Sequence, residues 1–162
     1  MSQRITMEPI TAEVFAPFGD LMDCSGDPDK IINQGLCGRF HDRAVLDFDG
    51  GRAGISLFQA KLRELPYKLD MMERHPLGSQ AFIPMSMEAF LVIVAQDTGN
   101  RPGEPSAFVT QPGQAINFHK NTWHGVLTPI AGSGLFAVVD RIGAGENLEE
   151  HWFDTAYEVV EN

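Results

Sequence analysis

The 162 residues are 43% hydrophobic and 21% charged, the size and balance of one compact core, so 1–162 is expected to fold as a single domain. Against 12 basic side chains stand 22 acidic ones, and the formal charge of −10 repels phosphate backbones and excludes nucleic acid as a natural partner. Cys24 and Cys37 match no zinc spacing and are expected as free thiols, while the opening MSQRITMEPITAEVF has no leader pattern and the longest apolar run, Ala89–Ala95, is too short for a bilayer; a cytoplasmic protein without a membrane partner follows.

The first predicted element is a short N-terminal helix in ITAEVFAPFGD, capped by Thr11, with Val14, Phe15 and Phe18 on one face and a stop at Gly19. Gly26–Gly38 reads as loop. Beyond it, short segments rich in branched and aromatic residues recur between turn signals: RFHDRAVLDF, AGISLFQAKL, SQAFIPM, AFLVIVAQD, SAFVTQPG, QAINFHKN, WHGVLTPI and GLFAVVDRI. No crossover-length amphipathic helix separates them, which predicts an all-β antiparallel barrel or sandwich. A second short helix is expected at ENLEEHWFD, where acidic residues lead and Trp152 and Phe153 are available for packing; His151 there is expected to be exposed and without a role.

The chemistry is concentrated in two stretches. In Glu73-Arg74-His75-Pro76-Leu77-Gly78-Ser79-Gln80, strand alternation lets Glu73 and His75 point into a barrel while Arg74 points away, an arrangement suited to a metal ion. The second, from Gly113 to His124, brings His119 and His124 next to a turn, so three of the five histidines lie in these two segments.

The spacing resembles the paired motifs of the cupin superfamily, which implies a double-stranded β-helix, an antiparallel jelly-roll barrel. In that likeness the first motif reads Glu73-x-His75-x4-Gln80, with Met87 where glycine is usual, and the second runs from Gly113 to His124, with His119 where proline is common. The implied ligand quartet is Glu73, His75, Gln80 and His124, a mixed N/O set compatible with nickel, zinc, manganese or iron. At finer grain the chain resembles the ureidoglycolate lyase family, through IINQGLCGRFHD at 31–42, ERHPLGSQAFIPM at 73–85, NFHKNTWHGVL at 117–127 and VVDRIG at 138–143. The resemblance implies a homodimeric cupin barrel that splits (S)-ureidoglycolate into glyoxylate and urea during allantoin-derived purine nitrogen recovery, with a nickel-type divalent cofactor.

Cleavage of ureidoglycolate needs a base for the hydroxyl proton, an acid for the departing urea nitrogen and a clamp for the carboxylate. His119 is the expected proton-transfer residue, with Glu73 as the alternative base if no metal is bound. Arg39, Lys120 and Arg141 are nominated to bind the substrate's carboxylate and ureido groups, with Asn33 and His41 orienting them. The competing readings are an amidohydrolase releasing ammonia from the same substrate, a metal-dependent cupin oxygenase and a non-catalytic small-molecule-binding cupin.

Overall fold

A computed structural model describes residues 3–162. It is nearly all β, as the recurrence of short branched segments predicts. The chain runs through β1 (Gln3–Thr6), β2 (Glu8–Pro9), helix α1 (Ala12–Phe15), β3 (Gly19–Met22), β4 (Lys30–Ile32), β5 (Cys37–Arg39), β6 (Arg52–Gln59), β7 (Tyr67–Arg74), β8 (Gln80–Pro84) and β9 (Phe90–Ala95). It continues through β10 (Ser106–Val109), β11 (Ala115–Phe118), β12 (Trp123–His124), β13 (Thr128–Pro129), β14 (Leu135–Ile142) and β15 (Glu149–Val160).

Two sheets make the barrel. The larger has the order β1-β15-β7-β12-β9-β10-β2, with β13 joined to β9; the other is five-stranded, β3-β11-β8-β14-β6. Strand alternation divides the side chains of β9 cleanly. Phe90, Val92 and Val94 face inward against Phe82, Ile116, Phe118, Phe136 and Val138 of the five-stranded sheet. Leu91, Ile93 and Ala95 face outward into a second core with Tyr67, Leu69, Met72, Trp123 and Val159. Because both faces of β9 are covered, its six residues are all buried and it reads in sequence as an unbroken apolar run. Most ladders are antiparallel, but β1 lies parallel to β15, Gln3 opposite Tyr157 and Thr6 opposite Val160.

Several expectations need correction. The N-terminal helix is present and Thr11 caps it, its hydroxyl accepting from the Val14 N–H at 3.2 Å. It is only four residues long, however, and while Phe15 and Phe18 are buried, Val14 faces solvent. The expected C-terminal helix is instead the 12-residue strand β15. The edge of β7 offers unpaired N–H and C=O groups, and residues 149–152 and 157–159 pair with it on either side of a bulge. His151 therefore sits half-buried in a strand, its ring edge-on to Trp123 and Phe153. RFHDRAVLDF does not form the strand expected of it. Only its first residue, Arg39, belongs to the β4–β5 hairpin, and the chain then runs irregularly through Asp42, at φ 50°, to an isolated bridge between Phe48 and Gly78. Conversely, YKLDMMER becomes the long central strand β7, although its charged residues hide the alternation.

Cys24 and Cys37 are free and exposed. Among the described residues no helix is long and apolar enough to cross a membrane.

Candidate metal centre

Glu73 and His124 are directly opposed in the β7–β12 ladder, so their side chains leave the sheet on the same face. His75 follows one alternation later. The ligand atoms of Glu73, His75 and His124 all lie within 4.8 Å of one another, and His75 Nε2 is 3.9 Å from Glu73 Oε1. Phe118, inward-facing on β11, stacks flat on the His124 ring at 4.2 Å and 5°. Gln80 is opposite Phe118 in the β8–β11 ladder and opposite Asp140 in the β8–β14 ladder, which puts both polar side chains on this inner face.

Hydrogen bonds fix what each group presents. The Nδ1–H of His75 donates to the Asn147 carbonyl at 2.7 Å, and the Nδ1–H of His124 donates to the Gly125 carbonyl at 2.9 Å. Each ring thus carries its lone pair on Nε2. Gln80 donates from Nε2 to Asp140 Oδ2 at 3.1 Å, which leaves Oε1 as its free end. His75 Nε2, His124 Nε2 and Gln80 Oε1 are all buried and have no hydrogen-bond partner among the described residues. Two buried imidazole acceptors without donors, next to a carboxylate, form a cost that a cation removes, and Gln80 Oε1 is a further such acceptor on the same inner face. Two imidazoles and a carboxylate within 4.8 Å of one another therefore fit a divalent ion.

The electrostatics agree. His124 is wholly buried, and that burial, aided by neighbouring His75, pushes its pKa down to about 3, so it is neutral at physiological pH as a ligand must be. Burial also raises the Glu73 carboxyl above its ordinary value; His75 opposes the shift, and Glu150, opposite Glu73 in the β15–β7 ladder, adds to it.

The other expected site residues lie elsewhere. His119 follows Phe118 and turns to the opposite side, where Nε2 is 3.2 Å from Asp20 Oδ1 in a cluster that also holds Asn117. Burial raises the Asp20 carboxyl, but hydrogen bonds from Asn117, the Val45 N–H and His119 outweigh it and hold the pKa below the usual range. Lys120 pairs with Asp49 at 2.9 Å and Asp47 at 3.5 Å, and the hydrogen bond to Asp49 raises its pKa. Arg141 donates to the carbonyls of Asp49, Gly50 and Ala144. Both cations thus hold the 47–51 segment, which lies along 77–79 through Asp49 N–H to the Leu77 carbonyl and Ser79 N–H to the Asp47 carbonyl. Gly78 permits this approach, since a Cβ there would stand 2.8 Å from Arg141 Cβ and 3.0 Å from the Phe48 ring. Asn33, Arg39 and His41 are exposed on or beside the β4–β5 hairpin, whose strands pair only with each other. The structure brings none of the three to the Glu73–His75–His124 cluster.

Sequence reasoning overlooked Asn147 and the contact of Asp140 with Gln80. Asn147 holds His75 through its carbonyl and the Leu77 N–H through its side-chain oxygen at 2.8 Å. Nothing local in GAGENLEE marks that role. The Asp140–Gln80 contact was accessible in principle from strand alternation, because Asp140 shares a face with the buried Phe136 and Val138.

The profile described as ureidoglycolate lyase matches residues 2–160. The chain belongs to the ureidoglycolate lyase family. A protein named ureidoglycolate lyase from Rhodobacter capsulatus is 60% identical over 92% of this chain and 93% of its own length. Its namesakes from Mesorhizobium japonicum, 52% identical over 96% and 97%, and Chelativorans sp., 48% identical over 97% and 96%, are similar along nearly their full lengths. In this ureidoglycolate lyase family member, Glu73, Gln80 and His75 fall in the block ERHPLGSQAFIPM and His124 in NFHKNTWHGVL. Two of the four blocks that carry the resemblance thus supply the side chains that converge inside the barrel.

Proposed function

We propose that this chain is a ureidoglycolate lyase that cleaves (S)-ureidoglycolate to glyoxylate and urea, acting in the cytoplasm as a homodimer in allantoin-derived purine nitrogen catabolism. The observation that carries the reading is the pair of buried bare acceptors, His75 Nε2 and His124 Nε2, gathered at the raised Glu73 carboxyl in a member of this family, with Gln80 Oε1 a further bare acceptor on the same inner face. Glu73, His75, Gln80 and His124 would hold a divalent cation, with nickel the proposed metal. When bound, it supplies positive charge for the substrate's carboxylate and hydroxyl oxygens.

The reaction is an elimination. The hydroxyl proton leaves, its oxygen becomes the aldehyde oxygen of glyoxylate, the carbon–nitrogen bond breaks, and the nitrogen takes up a proton to become urea. Glu73, whose carboxyl burial raises in the metal-free site, is the proposed base for a reaction without the cation; with the cation held, it acts as a ligand. The Asn147 and Gly125 carbonyls hold the imidazole rings in register, and Phe118, stacked on His124, keeps water from that side. Lys120 and Arg141 fix the 47–51 segment beside 77–79, and Arg39 as a donor to the substrate's carboxylate and ureido groups, with Asn33 and His41 orienting it, is a proposal for a substrate that reaches the exposed β4–β5 hairpin.

The test is to supply purified protein with racemic ureidoglycolate and measure urea, glyoxylate and ammonia, before and after chelation and after nickel is restored. Urea and glyoxylate as first products, lost on chelation and recovered with nickel, are expected. Ammonia as first product would replace the lyase reading with an amidohydrolase, and full activity in the chelated protein would remove the metal from it.

A further inference from the structure

Between the proposed ligands lies a second set of side chains that points the other way. On β7 the order is Glu73, Arg74, His75; on β12 it is Trp123, His124. Glu73, His75 and His124 meet inside the barrel, while Arg74 and Trp123 meet outside it, the guanidinium carbon 4.4 Å from the Trp123 ring centroid. Arg74 is only 5% exposed, and it is the one buried Arg or Lys among the described residues.

Its fork is fully engaged. Nε and Nη2 both lie 2.7 Å from Glu149 Oε2, Nη1 lies 3.3 Å from Asp97 Oδ1, and Nη2 also lies 3.5 Å from Asn100 Oδ1. The Trp123 indole N–H donates to the same Asp97 oxygen at 3.0 Å. One side chain therefore ties together β15, through Glu149, β7, which carries it, β12, through Trp123, and the turn that leaves β9, through Asp97 and Asn100. Packing does not require this arrangement. A well-packed hydrophobic side chain of similar volume often replaces a buried ion pair at no loss of stability. What a planar cation over Trp123 adds is a fixed separation and tilt of β7 and β12, the two strands that supply Glu73, His75 and His124.

We propose that Arg74 is a positioning residue for the metal centre, setting from the outer face of the sheet the spacing of Glu73, His75 and His124 on its inner face. The inference rests on the metal-centre reading above. Support from behind the ligands typically changes metal affinity about 10–100-fold when it is lost.

The experiment titrates nickel into metal-stripped protein by calorimetry with a competing chelator, and records the visible spectrum of the cobalt-substituted form, well below each variant's melting temperature. Arg74→Gln is expected to bind nickel about 10–100-fold more weakly, with a shifted cobalt spectrum. Arg74→Lys is expected to recover little of that, because an ammonium can neither fork nor stack. Leu69→Ala, a truncation in the same outer core, is expected to lower thermal stability and leave affinity and spectrum as in the wild type. Wild-type affinity and spectrum in Arg74→Gln, or an equal loss of affinity in Leu69→Ala, would overturn the positioning role. Should Arg74→Gln not fold, Asp97→Asn, which keeps the cation, is expected to weaken binding several-fold, and unchanged binding there would overturn it too. Absence of divalent-ion binding by the wild type would instead defeat the metal centre itself.

Discussion

Lowering the pH of the metal-free protein from 7 to 5 isolates the energetic signature of buried His124. Its folded pKa is about 3 against 6.5 for the free side chain, so between those values the unfolded chain binds a proton that the folded chain does not. Stability is therefore fully present above about pH 6.5 and is lost as pH falls, by about 1.4 kcal/mol per pH unit down to about pH 3. From pH 7 to pH 5 the loss is about 2 kcal/mol, which for a chain of this size lowers Tm by about 4–8 °C. Glu73 acts in the opposite sense. Its raised folded pKa contributes stability at low pH that is lost as pH rises through that value, so it returns part of the His124 loss on acidification. The lowered carboxyls of Asp20, Asp23 and Asp97 titrate below 3.8 and so act beneath this interval. The assay is urea unfolding at pH 5–7.5 in chelator, comparing wild type with His124→Gln. The difference between the two stability curves should slope by about 2 kcal/mol across the interval. Parallel curves would refute the argument that a neutral, buried imidazole is built into the folded state.

Glu73→Gln should weaken nickel binding about tenfold or more, read by chelator competition, and lower steady-state urea release with it, since it removes a proposed ligand; unchanged nickel affinity would take Glu73 out of the metal set. His119→Ala should leave turnover within about threefold of wild type and stability within about 1 kcal/mol, because the ring is paired with Asp20 on a partly exposed surface. A hundredfold fall in kcat would instead restore proton transfer to His119. Asn147→Ala keeps the carbonyl that holds His75 but removes the acceptor of the Leu77 N–H, so nickel affinity should fall several-fold, read by chelator competition, with a stability loss of about 1 kcal/mol.

The sequence was most legible where alternation and composition agree. β9, β11 and β14 carry branched and aromatic residues between clear turns, and each appears near its predicted position. It was least legible where a strand owes its existence to its neighbour. β15 begins with the helix-like ENLEEHWFD and becomes a strand because β7 has an open edge to fill, an interaction with no local trace. For the site, the period of two in Glu73-Arg74-His75 was enough to separate inward ligands from the outward arginine. It could not show which imidazole nitrogens are bare, since the Asn147 and Gly125 carbonyls that decide this are a matter of tertiary placement. His119 misled for a related reason. One position after an inward-facing Phe118, it must face out, but the phase of a strand is fixed only once its buried members are known.

The parallel pairing of β1 with β15 has a mechanical meaning. Tension applied at Gln3 and Val160 pulls these two strands in opposite directions along their length, so their ladder is loaded in shear, with all its hydrogen bonds sharing the force instead of opening one after another. Stretched between its ends, the protein should resist extension until that short ladder ruptures as a unit, shielding β7, and with it Glu73 and His75, from the load until then.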